Sequence, residues 1–523
     1  MRSSWAFCAL IRKVEWVAAA VEDKPWLAIA AVSTLYLASS LLVSATKLMW
    51  FDELHTYLTS QLPTAHDVIG FFAAGLDTHT PVCSLVERGS VGLLGKNFAG
   101  LRAPYILAYL VFSLCLYRFV YTRAGAVWGL AAMTFAFVCS GLYYATEIRP
   151  YGLVLALSAM AAVCWQEAGQ PKHRRAAIAV LWLSLSLSVA LHYYAAFMVV
   201  PFILAELSRW RQVRRADWPV AWAIVSSPLI IALFVPAIRK ARLIYGTHFW
   251  GVPQWSAFKT SYVFLLSESF GPIATAAFLC LLTSFCTRDS SLTAPSGLTV
   301  VPPSERTLSG VLALFPVLVV PTSFLTGAFG DRYVVPALTG IILYLILLTW
   351  QASNGNRVTA LVTTMVFLGW FVMHTTATVR RNLLQTGGFP FRTEQPFAVR
   401  NWMPFLSVSN LPVVVAPGVL FLQFEHYAPV DLGWRIYYLA DRRYATELDR
   451  SDTTDTILIN LAKAVPGVSV SSYDDFVSHQ RKFLFLVDVT ARTWIIHKLK
   501  IDGAHMELLI RDRNHMLFEV TIQ

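Results

Sequence analysis

Ten apolar runs of membrane-spanning length, separated by short charged loops, constrain this chain more than any other feature. They fall at roughly 26–48, 101–121, 126–145, 150–168, 176–207, 218–237, 258–285, 308–328, 333–350 and 357–379. One helical crossing of the ~30 Å hydrocarbon layer takes about 20 residues. With no water to satisfy the backbone there, runs of this length fold as helices. The 176–207 run is long enough for two, and His192-Tyr193-Tyr194 near its middle is costly at lipid-facing depth. A hairpin at that point gives an expectation of about 11 transmembrane helices.

Only 14% of the 523 residues are charged and 56% are hydrophobic, whereas soluble domains carry about a quarter charged residues. The formal charge of +11 raises nucleic acid as a partner, but no basic stripe is interleaved with exposed aromatics, and no nucleic-acid partner is expected. The positive residues form short clusters in alternate loops: Arg118 and Arg123, then Lys172-His173-Arg174-Arg175, then Arg209, Arg211, Arg214 and Arg215. That bias marks cytoplasmic loops. Asp52-Glu53, Glu147-Ile148-Arg149, His192-Tyr193, the 238–257 loop and Asp331-Arg332-Tyr333 then lie on the extracytoplasmic side. Only the hairpin keeps the Arg209–Arg215 cluster inside, and Arg380 and Arg381 fall outside under the same count. The expected location is a cell inner (plasma) membrane, crossed many times. The run at 26–48 reads as a retained first span, since no small-residue cleavage site follows a short apolar core. The seven cysteines show no CxxC or Cys/His spacing, and no disulfide framework is expected.

By composition, residues 1–379 form a transmembrane domain whose first outer loop runs over about 49–100. The Ser-, Thr- and Pro-rich 287–306 stretch reads as an inner linker. Residues 380–523 are more charged and read as a small soluble α/β domain, extracytoplasmic under the same count. Leu411–Val415 and Lys482–Val487 have strand character, Trp494–Leu499 and Glu507–Arg511 continue it, and Asp431–Ala440 opens a helix.

Five polar clusters share the outer rim: Trp50-Phe51-Asp52-Glu53, Asp77-Thr78-His79-Thr80-Pro81, Glu147-Ile148-Arg149-Pro150-Tyr151, His192-Tyr193-Tyr194 and Asp331-Arg332-Tyr333. A single acidic residue at a helix end is usually a solvated flank. Five clusters on one rim, three with Arg or His beside Tyr, behave as a site, because ionisable groups beside hydrocarbon are expensive unless used or paired. Imidazole and carboxylate ligands suit zinc or manganese, so a divalent metal held by Glu53, His79 and His192 is the one cofactor left open, without tight ligand spacing to support it. Trp250, Trp255 and His248, in the 239–256 loop, read as interfacial anchors.

In this order and sidedness the chain resembles the GT-C superfamily of polyprenyl-phosphate-sugar-dependent glycosyltransferases. Within it the chain is most similar to the bacterial branch that includes aminoarabinose transferases and is related in pattern to protein O-mannosyltransferases. The carrying residues are Phe51-Asp52-Glu53, Asp77-Thr78-His79-Thr80-Pro81, Leu101-Arg102-Ala103-Pro104 opening the second span, Glu147-Ile148-Arg149-Pro150-Tyr151-Gly152-Leu153, His192-Tyr193-Tyr194 and Asp331-Arg332-Tyr333. They cover roughly 26–379. Thr80 stands where the family pattern has a proline, and Val82-Cys83-Ser84 replaces its apolar-aromatic continuation.

The resemblance implies an inverting sugar transfer from a polyprenyl-phosphate donor to a glycan, lipid or protein acceptor on the extracytoplasmic face. It implies Asp52 as the catalytic base, which must stay ionised within reach of the acceptor hydroxyl. Glu53 then positions Asp52 or binds acceptor or metal. Guanidinium groups remain charged and offer phosphate a planar fork, so Arg149 and Arg332 are expected on the donor phosphate, with Tyr151 and Tyr333 as hydroxyl donors. The bland reading of each arginine is an ion pair, to Glu147 or Asp331, that fixes a loop. Asp77, His79, His192 and Arg102 complete the substrate-site set, with Arg102 more a pin for the loop near Asp77. Two other classes remain: a transporter or lipid flippase, which would place ionisable groups at mid-membrane in related halves, and a non-catalytic scaffold for envelope assembly.

Overall fold

The structure, a computed structural model, describes residues 2–246, 248–287, 300–386, 409–428, 433–490, 493–511 and 514–523. The ten apolar runs are helical. Six helices are long and apolar enough to cross a membrane: Pro25–Thr46, Phe98–Ala124, Arg174–Leu191, Trp218–Tyr245, Ala257–Leu282 and Arg357–Gln385. Two bent pairs, Ala126–Val138 with Ser140–Thr146 and Pro303–Ala313 with Phe315–Thr326, raise that to eight if each is one span, with bends of 74° and 44°. The protein is a polytopic helical membrane protein. Reaching eleven takes three more crossings, Tyr151–Glu167, Ala337–Ala352 and Val199–Val213, of 17, 16 and 15 residues. At ~1.5 Å per residue each is shorter than the ~30 Å hydrocarbon layer. The 176–207 run breaks at His192: the Arg174–Leu191 helix ends there in extended backbone, and a 3₁₀ turn, Tyr193–Met198, leads into Val199–Val213.

By packing the chain forms two compact units, the first of residues 1–42, 102–232 and 253–377, the second of 43–101, 233–252 and 378–523. In the first, Tyr151–Glu167 packs along Arg174–Leu191, and Pro303–Ala313 takes Val199–Val213 and Ala337–Ala352 on its sides. Close backbone approach sets this packing, as small residues allow between membrane helices. A Cβ on Gly340 would stand 2.2 Å from the Ala313 nitrogen.

One end of these helices is laced by ion pairs. Arg123 grips the buried Glu305 with Nε and Nη2 at 2.9 and 2.6 Å, and Gln166 Nε2 donates to the same carboxylate at 3.0 Å. Glu206, fully buried, accepts from the indoles of Trp165 and Trp210 at 2.8 and 2.6 Å and pairs with Arg209. Arg174 meets Asp217 at 2.6 Å. Glu22 caps the next helix start by accepting from the Ala126 and Val127 amides. The arginines among them, Arg123, Arg174 and Arg209, come from the clusters that the positive-charge bias assigned to one face.

The second unit contains the first-loop helices Phe51–Ser60, Ala65–Ala73 and Val82–Leu94 together with a six-stranded sheet. Leu62, Val68, Phe71 and Phe72 form a small core joined by Ala464 and Val465 from the C-terminal part. The strands are β1 (Val413–Ala416), β2 (Ile436–Leu439), β3 (Val470–Ser471), β4 (Lys482–Asp488), β5 (His505–Arg511) and β6 (His515–Thr521), in the order β3-β2-β1-β4-β6-β5. The first four run parallel, and β6 pairs antiparallel with β4 and β5. All of β1 and five consecutive residues of β4 are buried, as a parallel sheet covered on both faces requires.

Two local expectations are corrected. Trp494–Leu499 is not a strand but part of the helix Trp494–Ile501, burying Trp494, Ile495 and Leu499, a one- and four-residue spacing that one helical face provides. Within the stretch expected to open a helix, Ile436–Leu439 is strand β2, because its aromatic and aliphatic run is enclosed between β1 and β3; Asp431 lies outside the described residues. Most of the 287–306 linker, residues 288–299, lies outside them too.

Candidate active site

In the first unit, three segments far apart in sequence meet. The 3₁₀ segment Ser140–Thr146 runs into Glu147-Ile148-Arg149, and Pro150 starts the helix Tyr151–Glu167. Proline is suited there, since the amide it lacks would have no partner within the helix. Gly152 lets this start approach the preceding turn: a Cβ there would stand 2.7 Å from the Tyr144 carbonyl oxygen. The Tyr151 ring lies 4.8 Å from Tyr144 and 5.6 Å from His192, and His192 lies 4.8 Å from Tyr333. Tyr194 stacks on Tyr333 at 5.1 Å, and its hydroxyl donates to the Ala328 carbonyl at 2.5 Å. The Arg332 guanidinium sits 5.8 Å from the centre of the Tyr151 ring, within cation–π range. Arg149, almost fully buried, and Arg332 both act electrostatically on Tyr144 and Tyr333. Asp331 takes another part: its Oδ1 accepts from Thr260 and Ser261 at 2.9 and 3.3 Å, tying the 3₁₀ turn Asp331–Val334 to the neighbouring helix.

The result is a cluster of arginine, tyrosine and histidine in which Arg149, Tyr151 and Tyr333 are buried and His192, Tyr194 and Arg332 partly so. Tyr151 Oη is buried with no hydrogen-bond partner among the described residues. A buried hydroxyl in that condition costs free energy.

In the second unit, Asp52 and Glu53 occupy the first turn of the helix Phe51–Ser60, where the helix dipole favours negative charge. The two differ in surroundings. Glu53 is fully buried; its Oε2 accepts from the Trp50 amide at 3.5 Å and lies 4.0 Å from Lys47 Nζ. Asp52 is partly exposed. Glu53 therefore has a place in the helix start, and Asp52 is the more exposed carboxylate of the two.

Asp77 organises the rest of the loop. Its Oδ1 is 2.8 Å from His79 Nδ1 and also accepts the His79 amide at 3.0 Å, while Oδ2 is 3.4 Å from His55 Nδ1. Burial pushes the carboxyl up, but the His79 and His55 imidazoles outweigh it and hold the group well below the usual carboxylate range. Gly75 makes the turn into this segment at φ +76°, and a Cβ there would stand 2.5 Å from the Ala241 nitrogen. Arg88 caps the end of the Phe51–Ser60 helix by donating to the carbonyls of Ser60 and Pro63 at 3.0 and 2.8 Å.

Arg149, Tyr151, His192, Arg332 and Tyr333 thus come together in one unit, and Asp52, Glu53, Asp77 and His79 lie in the other. Arg102 is buried in the first turns of Phe98–Ala124. The open metal question receives no ligand set: among the described residues no three His, Cys, Asp or Glu side chains gather to hold an ion, and His79 Nδ1 is engaged by Asp77. Sequence reasoning missed His55, whose signal was its place three residues after Asp52, on one helix face. It also missed Tyr144, whose ring packs on Tyr151.

No family model matches the sequence, and no curated protein matches it. Among solved structures, the fold matches ArnT from Cupriavidus metallidurans. The apo crystal structure aligns with a TM-score of 0.56 at 11% identity, over 95% of this chain and 98% of that one. The crystal structure of the same protein bound to undecaprenyl phosphate aligns with a TM-score of 0.53 at 12% identity and the same coverage. The likeness spans the helical membrane part and the C-terminal sheet, and it is a likeness of fold.

Proposed function

We propose that this chain is a membrane glycosyltransferase that moves a sugar from a polyprenyl-phosphate donor to a hydroxyl acceptor on the extracytoplasmic face. The observation that carries this reading is the convergence of Arg149, Arg332, Tyr151, Tyr333 and His192 from three distant segments. Charge grows on the phosphate as the glycosidic bond breaks. Guanidinium and phenol groups fixed in advance stabilise such charge at little reorganisation cost. The ArnT fold, seen elsewhere with undecaprenyl phosphate bound, supports a polyprenyl phosphate as the ligand of these groups.

Asp52 is the base in this reading. It takes the proton from the acceptor hydroxyl, the oxygen attacks the anomeric carbon, and the carbon–oxygen bond to phosphate breaks on the opposite face. One displacement inverts the anomeric centre. Glu53 holds the helix start on which Asp52 sits, and Asp77 holds His55 and His79 in place.

The test uses purified full-length protein in liposomes with radiolabelled undecaprenyl-phosphate sugars. Asp52→Asn keeps size and polarity and should lower transfer by at least ~10²-fold, the lower end of what a general base contributes. Undiminished transfer by that variant would remove Asp52 from the role. Net movement of labelled lipid with no transfer from any donor would favour a transporter instead.

A further inference from the structure

Within the second unit, the acid-bearing loop is held by its main chain, and most of the holders come from the C-terminal part. The Met49 amide donates to Tyr427 Oη at 2.9 Å, and the Met49 carbonyl accepts from Gln423 Nε2 at 3.1 Å. Gln423 and Tyr427 are four residues apart on the helix Gly418–Tyr427, so one helix face reaches both. Both backbone groups of the residue three before Asp52 are therefore fixed. The same helix sets the His426 ring edge-on to Tyr57, 5.7 Å away.

A second hold lies one residue before Asp77. The Leu76 carbonyl accepts from Asn460 Nδ2 at 3.2 Å, on the helix Thr453–Ala464, and from Tyr245 Oη at 2.7 Å. The helices Gly418–Tyr427 and Thr453–Ala464 pack on each other. The His55–Asp77 contact then braces the two held points from within the loop. A docked domain that only shielded the loop would need apolar contact. Bonds to the main chain at these two points do something more specific, since they set where the following carboxylates stand whatever the loop's side chains are.

We propose that the C-terminal α/β part is a positioning element for this loop, with Gln423, Tyr427 and Asn460 as positioning residues for Asp52 and Asp77. This rests on the reading of Asp52 as base. Misplacing a reacting group by ~1 Å can cost about 10²-fold in rate, so the holds act on kcat while leaving donor binding in place.

The experiment combines two readouts on the full-length protein in nanodiscs. Hydrogen exchange reports the Met49 amide, and steady-state transfer from a labelled undecaprenyl-phosphate sugar reports kcat and donor KM. Tyr427→Phe keeps the ring and should speed Met49 exchange and lower kcat by roughly tenfold at unchanged KM. Gln423→Met, which keeps length and loses the donor, should lower kcat similarly without exposing the Met49 amide. The pair together should approach ~10²-fold. Tyr444→Phe, whose hydroxyl meets Asp474 at the surface, should change neither readout.

Faster Met49 exchange with unchanged kcat would overturn the proposal, as would unchanged exchange in Tyr427→Phe. So would a rise in KM alone. Should Tyr427→Phe fail to fold, Gln423→Met carries the kcat test. If Asp52→Asn transfers normally, the base reading fails, and the exchange readout still decides whether the holds exist.

Discussion

The helix Tyr151–Glu167 joins two unlike ends of the first unit. At the Glu167 end, Arg118, Arg123, Arg174 and Arg209 each face a carboxylate, and the buried Glu206 and Glu305 are further satisfied by indole and amide donors. At the Tyr151 end, Arg332 lies over an aromatic ring, and the Tyr151 hydroxyl has no partner among the described residues. Both ends hold arginines beside hydrocarbon, where they are expensive. At the first end they are spent on the protein itself. At the second, the Tyr151 hydroxyl stays without a partner among the described residues, and that hydroxyl is what sets the two ends apart.

The largest contrast should come from the two arginine sets. Arg332→Ala is expected to lower sugar transfer by the folded protein by roughly 10²–10³-fold, the scale of removing one preorganised donor to developing charge. Arg123→Ala should act on stability instead. Among the described residues it leaves the buried Glu305 with Gln166 as its side-chain donor, and breaking a buried pair costs ~3–5 kcal/mol. Because Arg123 is a third exposed, the expected loss is about 2–3 kcal/mol, seen as a lower midpoint with kcat of the folded protein intact. A variant pair that moved stability and turnover together at both ends would erase the distinction.

Much of this contrast was legible in the sequence, and the reason is physical. Charge clusters at the ends of apolar runs report sidedness, so Arg118, Arg123, Arg174 and Arg209 separate from Arg149 and Arg332 in the sequence itself. The motifs around Tyr151, His192 and Tyr333 were also legible, because polar groups beside hydrocarbon demand a use. What pairing does to them was not. Asp331 stands next to Arg332 in sequence yet spends its carboxylate on Thr260 and Ser261, and His55 carries no motif until the fold brings it to Asp77. In the C-terminal part, Trp494–Leu499 was misread because a short run with buried neighbours fits strand and helix alike. Nor did linear reading show that residues 43–101 and 233–252 pack with the C-terminal helices, since part of that packing rests on backbone groups such as the Leu76 carbonyl, which leave no trace in residue type.

A smaller effect should follow from Gly152. Its missing Cβ lets the helix start lie against the Tyr144 carbonyl, so Gly152→Ala must push Tyr151 away from Tyr144. Overpacking of this kind typically costs ~1–3 kcal/mol. The same shift moves Tyr151 relative to Arg332, so transfer should fall along with the midpoint. The matching change at the other contact, Gly340→Ala against Ala313, should lower the midpoint alone.

The finest test of the contrast is a single oxygen. Tyr151→Phe removes a buried hydroxyl that no described residue satisfies, so folding should lose nothing and gain up to ~1 kcal/mol, as relief of an unmet polar group allows. If phosphate is the partner that hydroxyl awaits, its loss removes a bond to a charged acceptor, worth ~1.5–3 kcal/mol. Affinity for undecaprenyl phosphate, titrated in detergent, should then weaken about tenfold or more. Ser158 supplies the control within the same helix: its hydroxyl donates to the Leu155 carbonyl at 2.8 Å and lies 2.5 Å from Thr339 Oγ1. Ser158→Ala should cost ~1 kcal/mol of stability and leave the affinity alone. Equal affinity in wild type and Tyr151→Phe would mean that the hydroxyl faces no phosphate, and the Tyr151 end would then hold its arginines for packing, as the other end does.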